Sequence, residues 1–252
     1  MTVRYEPDWP VVVVTIDRPE VRNAVDPDTA ARLVECFKRF AADDELRVAV
    51  LTGAGGNFCA GFDLKALARG DGRRLKTSGP GPMGPTRMFL DKPVVAAIEG
   101  YAVAGGLELA LWCDLRVAAR DATLGVFSRR FGVPLIDLGT IRLPRMIGQG
   151  RAMDLVLTGR PVPAVEALGI GLVERLVPTG TALAEAVALA RRLAELPQGA
   201  LRADRRSVLK QWSLSVDDAI RAEFRGGIKV VASGESQSGA RQFVEGIGRH
   251  GE

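Results

Sequence analysis

Apolar residues in the first half of the chain form short runs that alternate with amphipathic segments. Val11–Ile16 is a run of β-branched residues that predicts a strand, and Arg47–Thr52 and Val94–Ile98 predict two more. Between the first two, Asp26-Pro27 predicts a helix start, with a capping aspartate followed by proline. Strands separated by helices are typical of parallel pairing, so the pattern predicts an α/β fold.

The helix that follows Pro27 places Leu33, Phe37 and Phe40 on one face by helical spacing. Further along, the sequence predicts a helix over 105–113 and a strand at Leu115–Ala119. These elements continue the alternation of strand and helix.

The pattern changes in the last third of the chain, where strand signals fade and helical spacing dominates. The predicted helical segments are Thr181–Leu196, Pro197–Trp212, Val216–Ala232 and Ser236–Ile247. We therefore predict a catalytic core over residues 1–190 and a helical oligomerisation region over residues 191–252. A section this small buries little surface alone, so its apolar faces are expected to pack on another subunit.

The segment Thr77–Pro85, TSGPGPMGP, is rich in glycine and proline and cannot form a regular element. We predict a mobile surface loop. Because it lies between two chemically suggestive segments, an active-site flap is a second hypothesis beside a plain connector.

The composition is that of a globular protein, with 252 residues, 47% apolar and 25% charged. No apolar run approaches the length of a membrane helix, and MTVRYEPDWP lacks the apolar centre of a secretory signal. Cys36, Cys59 and Cys113 have no metal-ligand spacing, and we predict reduced, buried thiols in a cytoplasmic protein.

The net charge of +4 and the pI of about 9.2 indicate either a mildly basic surface or one that attracts an anionic ligand or nucleic acid. Basic residues occur only as short pairs such as Arg129-Arg130, without an aromatic-interleaved stripe, which argues against nucleic-acid binding. A phosphorylated small molecule fits the charge equally well.

The single histidine, His250, lies next to the C-terminus, which restricts the available mechanisms. Ser-His-Asp triads, Cys-His pairs and multi-histidine metal sites all need a histidine in the core, so we predict no metal site. Acid–base chemistry then falls to carboxylates, or to Tyr5, Tyr101 or a lysine.

Two glycine-containing turns, over residues 53–64 and 98–109, each lie between a predicted strand and a predicted helix. Glycine lets the backbone approach a ligand closely, and the first turn of a helix has N–H groups without intrahelical partners. Two such groups that converge form an oxyanion hole. Neither turn has the spacing of a dinucleotide or phosphate loop, and the pair alone does not identify a thioester.

Five segments resemble the crotonase superfamily, the enoyl-CoA hydratase/isomerase family. They are Arg18–Val25 (RPEVRNAV), Phe58–Leu64 (FCAGFDL), Asp91–Ala119, Phe131–Gly148 and Leu157–Pro178. The resemblance covers essentially the whole chain. It implies a crotonase (ClpP-like) fold of repeated ββα units with a C-terminal helical trimerisation region, and hence a homotrimer or a dimer of trimers. It also implies an acyl-CoA substrate, with no cofactor beyond the CoA of that substrate.

The resemblance also implies roles for particular residues. The backbone N–H groups of Phe62 and Gly105 correspond to the oxyanion donors, and Glu108 to a catalytic glutamate. Glu108 lies in the first helical turn, where the helix dipole alone would also stabilise a carboxylate. Asp63 equally fits an N-cap. The implied contacts to CoA or substrate are Arg22, Ala24, Ala60, Asp63, Leu64, Lys65, Gly106 and Leu135.

One position departs from the family pattern. Many hydratases of the family carry a second glutamate after the proline of the FGxP segment, where this chain has Leu135. Asp137, two residues on, would face the same side only if the segment is extended, and its alternative is a loop or capping aspartate. We predict an enoyl-CoA hydratase in which Glu108 activates water and Asp137 or a water replaces the second acid. The alternatives are a one-base enoyl-CoA isomerase and, in another class, an RNA-binding or inactive acyl-CoA-binding homologue.

Overall fold

The computed structural model of the chain describes residues 2–71 and 76–247. His250 lies outside the described residues. Two compact units divide the chain, over residues 1–191 and residues 192–252. Among the described residues, no helix combines the length and apolar character that a membrane span requires.

The described strands form two sheets. They are β1 (Val3–Asp8), β2 (Val11–Ile16), β3 (Val48–Gly53), β4 (Val94–Ile98), β5 (Tyr101–Val103), β6 (Leu115–Ala119), β7 (Thr123–Gly125), β8 (Val162–Pro163) and β9 (Arg175–Val177). The larger sheet has the order β1-β2-β3-β4-β6-β9, and the smaller has the order β5-β7-β8. In the larger sheet β1 is antiparallel to β2, and every other neighbouring pair is parallel.

The same stretches of chain contain ten α-helices. They are α1 (Pro27–Ala42), α2 (Leu64–Ala68), α3 (Gly105–Trp112), α4 (Gly139–Ile147), α5 (Gln149–Thr158), α6 (Ala164–Gly169), α7 (Ala182–Glu195), α8 (Gln198–Lys210), α9 (Val216–Ala232) and α10 (Glu235–Val244).

Helix α1 follows the prediction closely. The Asp26 side chain accepts a hydrogen bond from the Thr29 N–H at 2.8 Å, as an N-cap does. Leu33, Phe37 and Phe40 are fully buried against the sheet. The α/β class predicted from the alternation of elements is therefore confirmed.

The loop predicted over Thr77–Pro85 is only partly a surface loop. Residues 77–80 are exposed, whereas residues 81–85 are buried, and Pro85–Arg87 forms a 3-10 turn. The prediction of a surface loop is wrong for this second half, because Met83 carries an apolar side chain into the interior, where it is 1% exposed. Cys36 also differs from the prediction, since it is only half-buried.

The C-terminal unit is unusual in what it leaves exposed. None of the residues of α8, α9 and α10 is buried. Large apolar side chains such as Trp212, Phe224 and Phe243 are each more than half exposed. An apolar surface of this kind on a globular chain marks an interaction site.

Candidate active site

A cavity of about 410 Å³ lies in the first unit, where the two glycine turns meet the segment before α4. The residues predicted from sequence that line it are Arg22, Ala60, Phe62, Leu64, Gly105, Glu108, Leu135 and Asp137. The structure adds Met83, Tyr101, Val103, Ala104, Phe127, Ser128, Arg130, Phe131, Val133 and Pro134. The cavity thus joins both proposed N–H donors and both candidate acids.

The two glycine turns lie side by side, and their glycines make this possible. The Cys59 carbonyl accepts a hydrogen bond from the Val103 N–H at 3.1 Å. A Cβ on Gly106 would lie 2.0 Å from the Cys59 carbonyl oxygen. A Cβ on Gly61, whose φ is +99°, would lie 2.9 Å from the Gly105 nitrogen. No other residue fits either position without separating the turns.

Gly105 and Phe62 each present backbone at the cavity wall. Gly105 is the first residue of α3, so its N–H has no acceptor within the helix. Ala104 before it has φ 54° and ψ −125°, a conformation uncommon outside glycine that costs about 1–3 kcal/mol. Phe62 pairs with Val25 in a parallel bridge, and the bonds to Val25 come from its neighbours in sequence. The N–H of Phe62 therefore points away from Val25.

Glu108 is held in place by the segment that precedes α4. Its Oε1 accepts hydrogen bonds from the N–H groups of Asp137 and Gly139, both at 2.8 Å. A Cβ on Gly139 would lie 2.8 Å from the same oxygen, so a larger residue there would displace the Glu108 carboxylate. Every residue of α3 is buried, and Glu108 is 3% exposed. A buried carboxylate that lines a cavity is a typical functional group.

Asp137 contacts the turn over residues 81–86. Its Oδ1 accepts hydrogen bonds from the Met83 N–H at 2.9 Å and from the Thr86 hydroxyl. A Cβ on Gly81 would lie 2.3 Å from this oxygen. Asp137 lines the cavity, as a second acid must, and it also fixes the turn, as a loop aspartate does.

Leu135 and Asp137 lie on the same side of their segment. Residues 133–138 have no regular structure, and Leu135 and Asp137 are both buried at the cavity while Ile136 is half-buried between them. Val133 and Pro134 line the cavity as well, and the chain bends at Asp137 and Leu138. The bend therefore brings Asp137 to the cavity wall beside Leu135, as a substitute for the second acid requires.

Asp63 is the N-cap of α2. Its Oδ1 accepts hydrogen bonds from the N–H groups of Lys65 at 2.9 Å and Ala66 at 3.2 Å. Its Oδ2 lies 3.0 Å from Arg18, which also bonds Asp26 and so ties α1 to this turn. Burial alone would raise the pKa of Asp63, but the bonds from Ala66, Arg18 and Lys65 outweigh it and hold the pKa below the usual value.

Four of the predicted contact residues lie outside the described lining of the cavity. They are Ala24, Asp63, Lys65 and Gly106. Among the lining residues, Arg22 is exposed and lies over the Tyr101 ring, 5.2 Å from its centroid. A role for these residues toward CoA stays a prediction.

Replacing Asp63 with asparagine should lower the free energy of unfolding at pH 7 by about 1–3 kcal/mol, because the bond to Arg18 loses its charge. Since the folded pKa is depressed, this stabilisation is present above about pH 4 and is lost as the pH falls through the folded pKa. The difference between the wild type and Asp63→Asn should therefore shrink between pH 5 and pH 3. Urea unfolding across this range measures it, and a constant difference would contradict the assignment.

Sequence reasoning missed several residues behind the cavity. Arg142, in the first turn of α4, donates to the carbonyl of Thr86 at 2.7 Å and to that of Asp137 at 3.3 Å. Met83 and Thr86 hold the Asp137 carboxylate. A charged residue between Ile141 and Leu143 was the one available signal for Arg142.

The cavity combines two features. The two glycine turns meet at one of its walls, and the buried carboxylate of Glu108 lies beside them. Such a cavity suits an enzyme that binds a carbonyl oxygen through N–H groups and moves a proton nearby. The α/β core with its helical C-terminal region is the architecture that the resemblance to the crotonase superfamily implies.

Comparison with known proteins identifies the family. The profile of the enoyl-CoA hydratase/isomerase family matches residues 8–249. Enoyl-CoA hydratase EchA19 of Mycobacterium tuberculosis is 36% identical over 93% of this chain and 90% of its own length. Carnitinyl-CoA dehydratase of Salmonella enteritidis is 36% identical over 94% of this chain and 92% of its own length. The crystal structure of an enoyl-CoA hydratase from Mycobacterium tuberculosis H37Rv superposes with a TM-score of 0.92 at 39% identity, over 98% of this chain and 96% of that one.

The chain belongs to the enoyl-CoA hydratase/isomerase family, and it is an enzyme of the hydratase type. The fold class predicted from the resemblance, a crotonase fold with a C-terminal helical region, is confirmed.

Proposed function

We propose that the enzyme adds water across the C2–C3 double bond of a 2-enoyl-CoA. The thioester oxygen accepts hydrogen bonds from the N–H groups of Phe62 and Gly105, and Glu108 activates the water that attacks C3. The observation that carries the proposal is the position of Glu108, buried in the same cavity as Phe62 and Gly105 and fixed there by two N–H groups.

The chemistry explains why both parts are needed. When the water oxygen bonds to C3, the electron pair of the double bond moves toward the thioester and places negative charge on its oxygen. An N–H donor at that oxygen is worth roughly 3 kcal/mol of the barrier. A proton then returns to C2, from Asp137 or from water, which balances the addition.

The reverse reaction, loss of water from a 3-hydroxyacyl-CoA, passes over the same transition state. The similarity to a protein named carnitinyl-CoA dehydratase supports this direction as well. The concentrations of the two thioesters then decide which direction prevails.

The direct test is the loss of ultraviolet absorbance as purified enzyme converts short and medium 2-enoyl-CoA thioesters. We propose that no cofactor beyond CoA is needed, because the addition uses only a carboxylate, two N–H donors and water. The assay should therefore run equally fast in EDTA. Absence of turnover on every 2-enoyl-CoA would contradict the proposed reaction.

A one-base isomerisation of 3-enoyl-CoA is the second candidate function. It is favoured by Leu135, a buried apolar residue where many hydratases have their second glutamate. Moving a proton between two carbons requires one carboxylate, and Glu108 alone would serve.

Asp137→Asn should separate the two candidates. The asparagine oxygen can still accept from Met83 and Thr86, so the turn should stay in place. If Asp137 returns the proton in hydration, hydration should fall by about 10²–10⁴-fold while isomerisation changes little. Rates on 2-enoyl-CoA and 3-enoyl-CoA measure this. Thr86→Val is the control, since it removes an anchor of the turn but keeps the carboxylate, and an equal loss in it would assign the effect to the turn.

We propose that the enzyme is a homotrimer or a dimer of trimers that associates through its C-terminal unit. The exposed apolar side chains of α8, α9 and α10 support this, and closed symmetry is the usual arrangement. Light scattering at micromolar concentration should give three or six times the mass of the chain. Phe224→Asp should lower that mass, and a monomeric wild type would contradict the proposal.

A further inference from the structure

Arg142 connects the two loops that hold the candidate acids. Its guanidinium donates to the carbonyls of Thr86 and Asp137, at 2.7 and 3.3 Å. Residues 137–139 in turn donate two N–H groups to Oε1 of Glu108. A single short segment therefore separates the Arg142 cation from the carboxylate at the centre of the site.

Four titratable groups act on Arg142. They are Glu108 in α3, the Cys113 thiol directly after α3, Asp137 in the segment before α4, and Arg145 in α4. Burial raises the pKa of Cys113, so this thiol is neutral in the physiological range. Burial lowers the pKa of Arg142, and the two carboxylates act in the opposite sense. Glu108 and Asp137 are thus the two acidic groups that act on Arg142.

Two buried carboxylates in one cavity disfavour each other's ionisation, and a nearby cation reverses that effect. We propose that Arg142 is a positioning residue that keeps Glu108 ionised and holds residues 137–139 against it. Arg142 is not among the described residues that line the cavity, so it acts through Glu108 and Asp137 and not on the substrate. This inference rests on the proposed function, because it takes Glu108 to be the base.

Arg87 offers a matched control for the loop-bridging part of this role. It donates to the carbonyls of Ile136 at 2.8 Å and Lys76 at 2.6 Å, and so joins the same two loops. On this side its bond goes to Ile136, whereas the N–H groups that hold Glu108 belong to Asp137 and Gly139. Arg87→Gln therefore weakens the connection between the loops while leaving the Arg142 cation in place.

The experiment compares pH profiles of kcat/KM for the wild type, Arg142→Gln, Arg142→Lys and Arg87→Gln. In Arg142→Gln the acidic limb should move to higher pH by about one unit or more, because ionised Glu108 has lost its cation. Arg142→Lys keeps the charge, so the acidic limb of its pH profile should coincide with that of the wild type. Its maximum kcat/KM should fall. Arg87→Gln should lower the maximum without moving the limb.

A folded Arg142→Gln enzyme with the wild-type limb would overturn the proposal, and so would an equal shift in Arg87→Gln. If Arg142→Gln does not fold, Arg142→Lys carries the test, and a shifted limb in that variant overturns it. A ¹³C NMR titration of the Glu108 carboxyl, assigned by its loss in Glu108→Gln, needs no substrate. It tests Arg142 even if the enzyme turns over none of the thioesters, so the two proposals fail separately.

Discussion

Replacing Glu108 with glutamine should lower turnover by about 10²–10⁴-fold, the usual contribution of general acid–base catalysis. The glutamine oxygen can still accept the N–H groups of Asp137 and Gly139, so the position of the side chain is kept while its basicity is lost. Binding of the CoA thioester should change little, because Phe62 and Gly105 are untouched. Steady-state rates with 2-enoyl-CoA and calorimetric binding of a product thioester measure the two effects.

Glu99→Gln is the matched control for this experiment. Glu99 also accepts two backbone N–H groups, from Gly180 at 3.1 Å and Ala182 at 2.9 Å, but it lies outside the described lining of the cavity. Glutamine has one acceptor oxygen, so one of these bonds is lost and some stability with it. Turnover should nevertheless stay within about twofold of the wild type, because Glu99 does not reach the cavity. Normal rates in Glu108→Gln on every thioester that the wild type converts would exclude Glu108 as the base.

Gly61→Ala should lower kcat by about 10²–10³-fold, the loss seen when one oxyanion donor is displaced. The new Cβ would lie 2.9 Å from both the Ala104 Cβ and the Gly105 nitrogen, at a φ of +99°. Relief of this contact requires the two turns to separate, which moves the N–H groups of Phe62 and Gly105 relative to each other. Because Glu108 is unchanged, the pH profile should keep its shape while the rate falls.

Gly56→Ala separates backbone strain from crowding at the cavity. Gly56 belongs to the same turn and also has a positive φ, +76°, but a Cβ there meets nothing within 4 Å. It should cost about 1–2 kcal/mol of stability and leave kcat near the wild type. A folded Gly61→Ala enzyme with wild-type kcat would show that the approach of the two turns is not needed for catalysis.

Long periodic segments made most of the fold predictable. The β-branched run at Val11–Ile16 and the capped helix after Asp26 lie where the pattern places them. Strands β5, β7, β8 and β9 were missed because two or three residues cannot show an alternation. Strand β1 was missed as well, since the charged and proline residues in Val3–Asp8 obscure the alternation of an edge strand.

The residues of the candidate site were predictable only where they lie close together in the sequence. Gly105 and Glu108 are three residues apart on one helix, so a resemblance along the chain finds both. Thr86 and Arg142 are joined by a hydrogen bond across 56 positions, which no local pattern encodes. The glycine and proline content of residues 77–85 correctly indicated irregular backbone, but burial there depends on Met83 meeting a cavity formed by distant segments.

Met83 contacts Asp137 through its backbone and the wall of the cavity through its side chain. Its N–H donates to Asp137, whereas its side chain lies against Gly105, where an added Cβ would meet the sulfur at 2.6 Å. Exchanging the side chain at this position can therefore reshape the cavity wall, because the backbone bond to Asp137 does not depend on it. Insertions or deletions in the turn over residues 81–86 have no such freedom, since they shift the N–H itself and with it the segment that holds Glu108. A point substitution of Met83 should accordingly change the cavity wall with little effect on the acids, whereas a change in the length of this turn should disturb both.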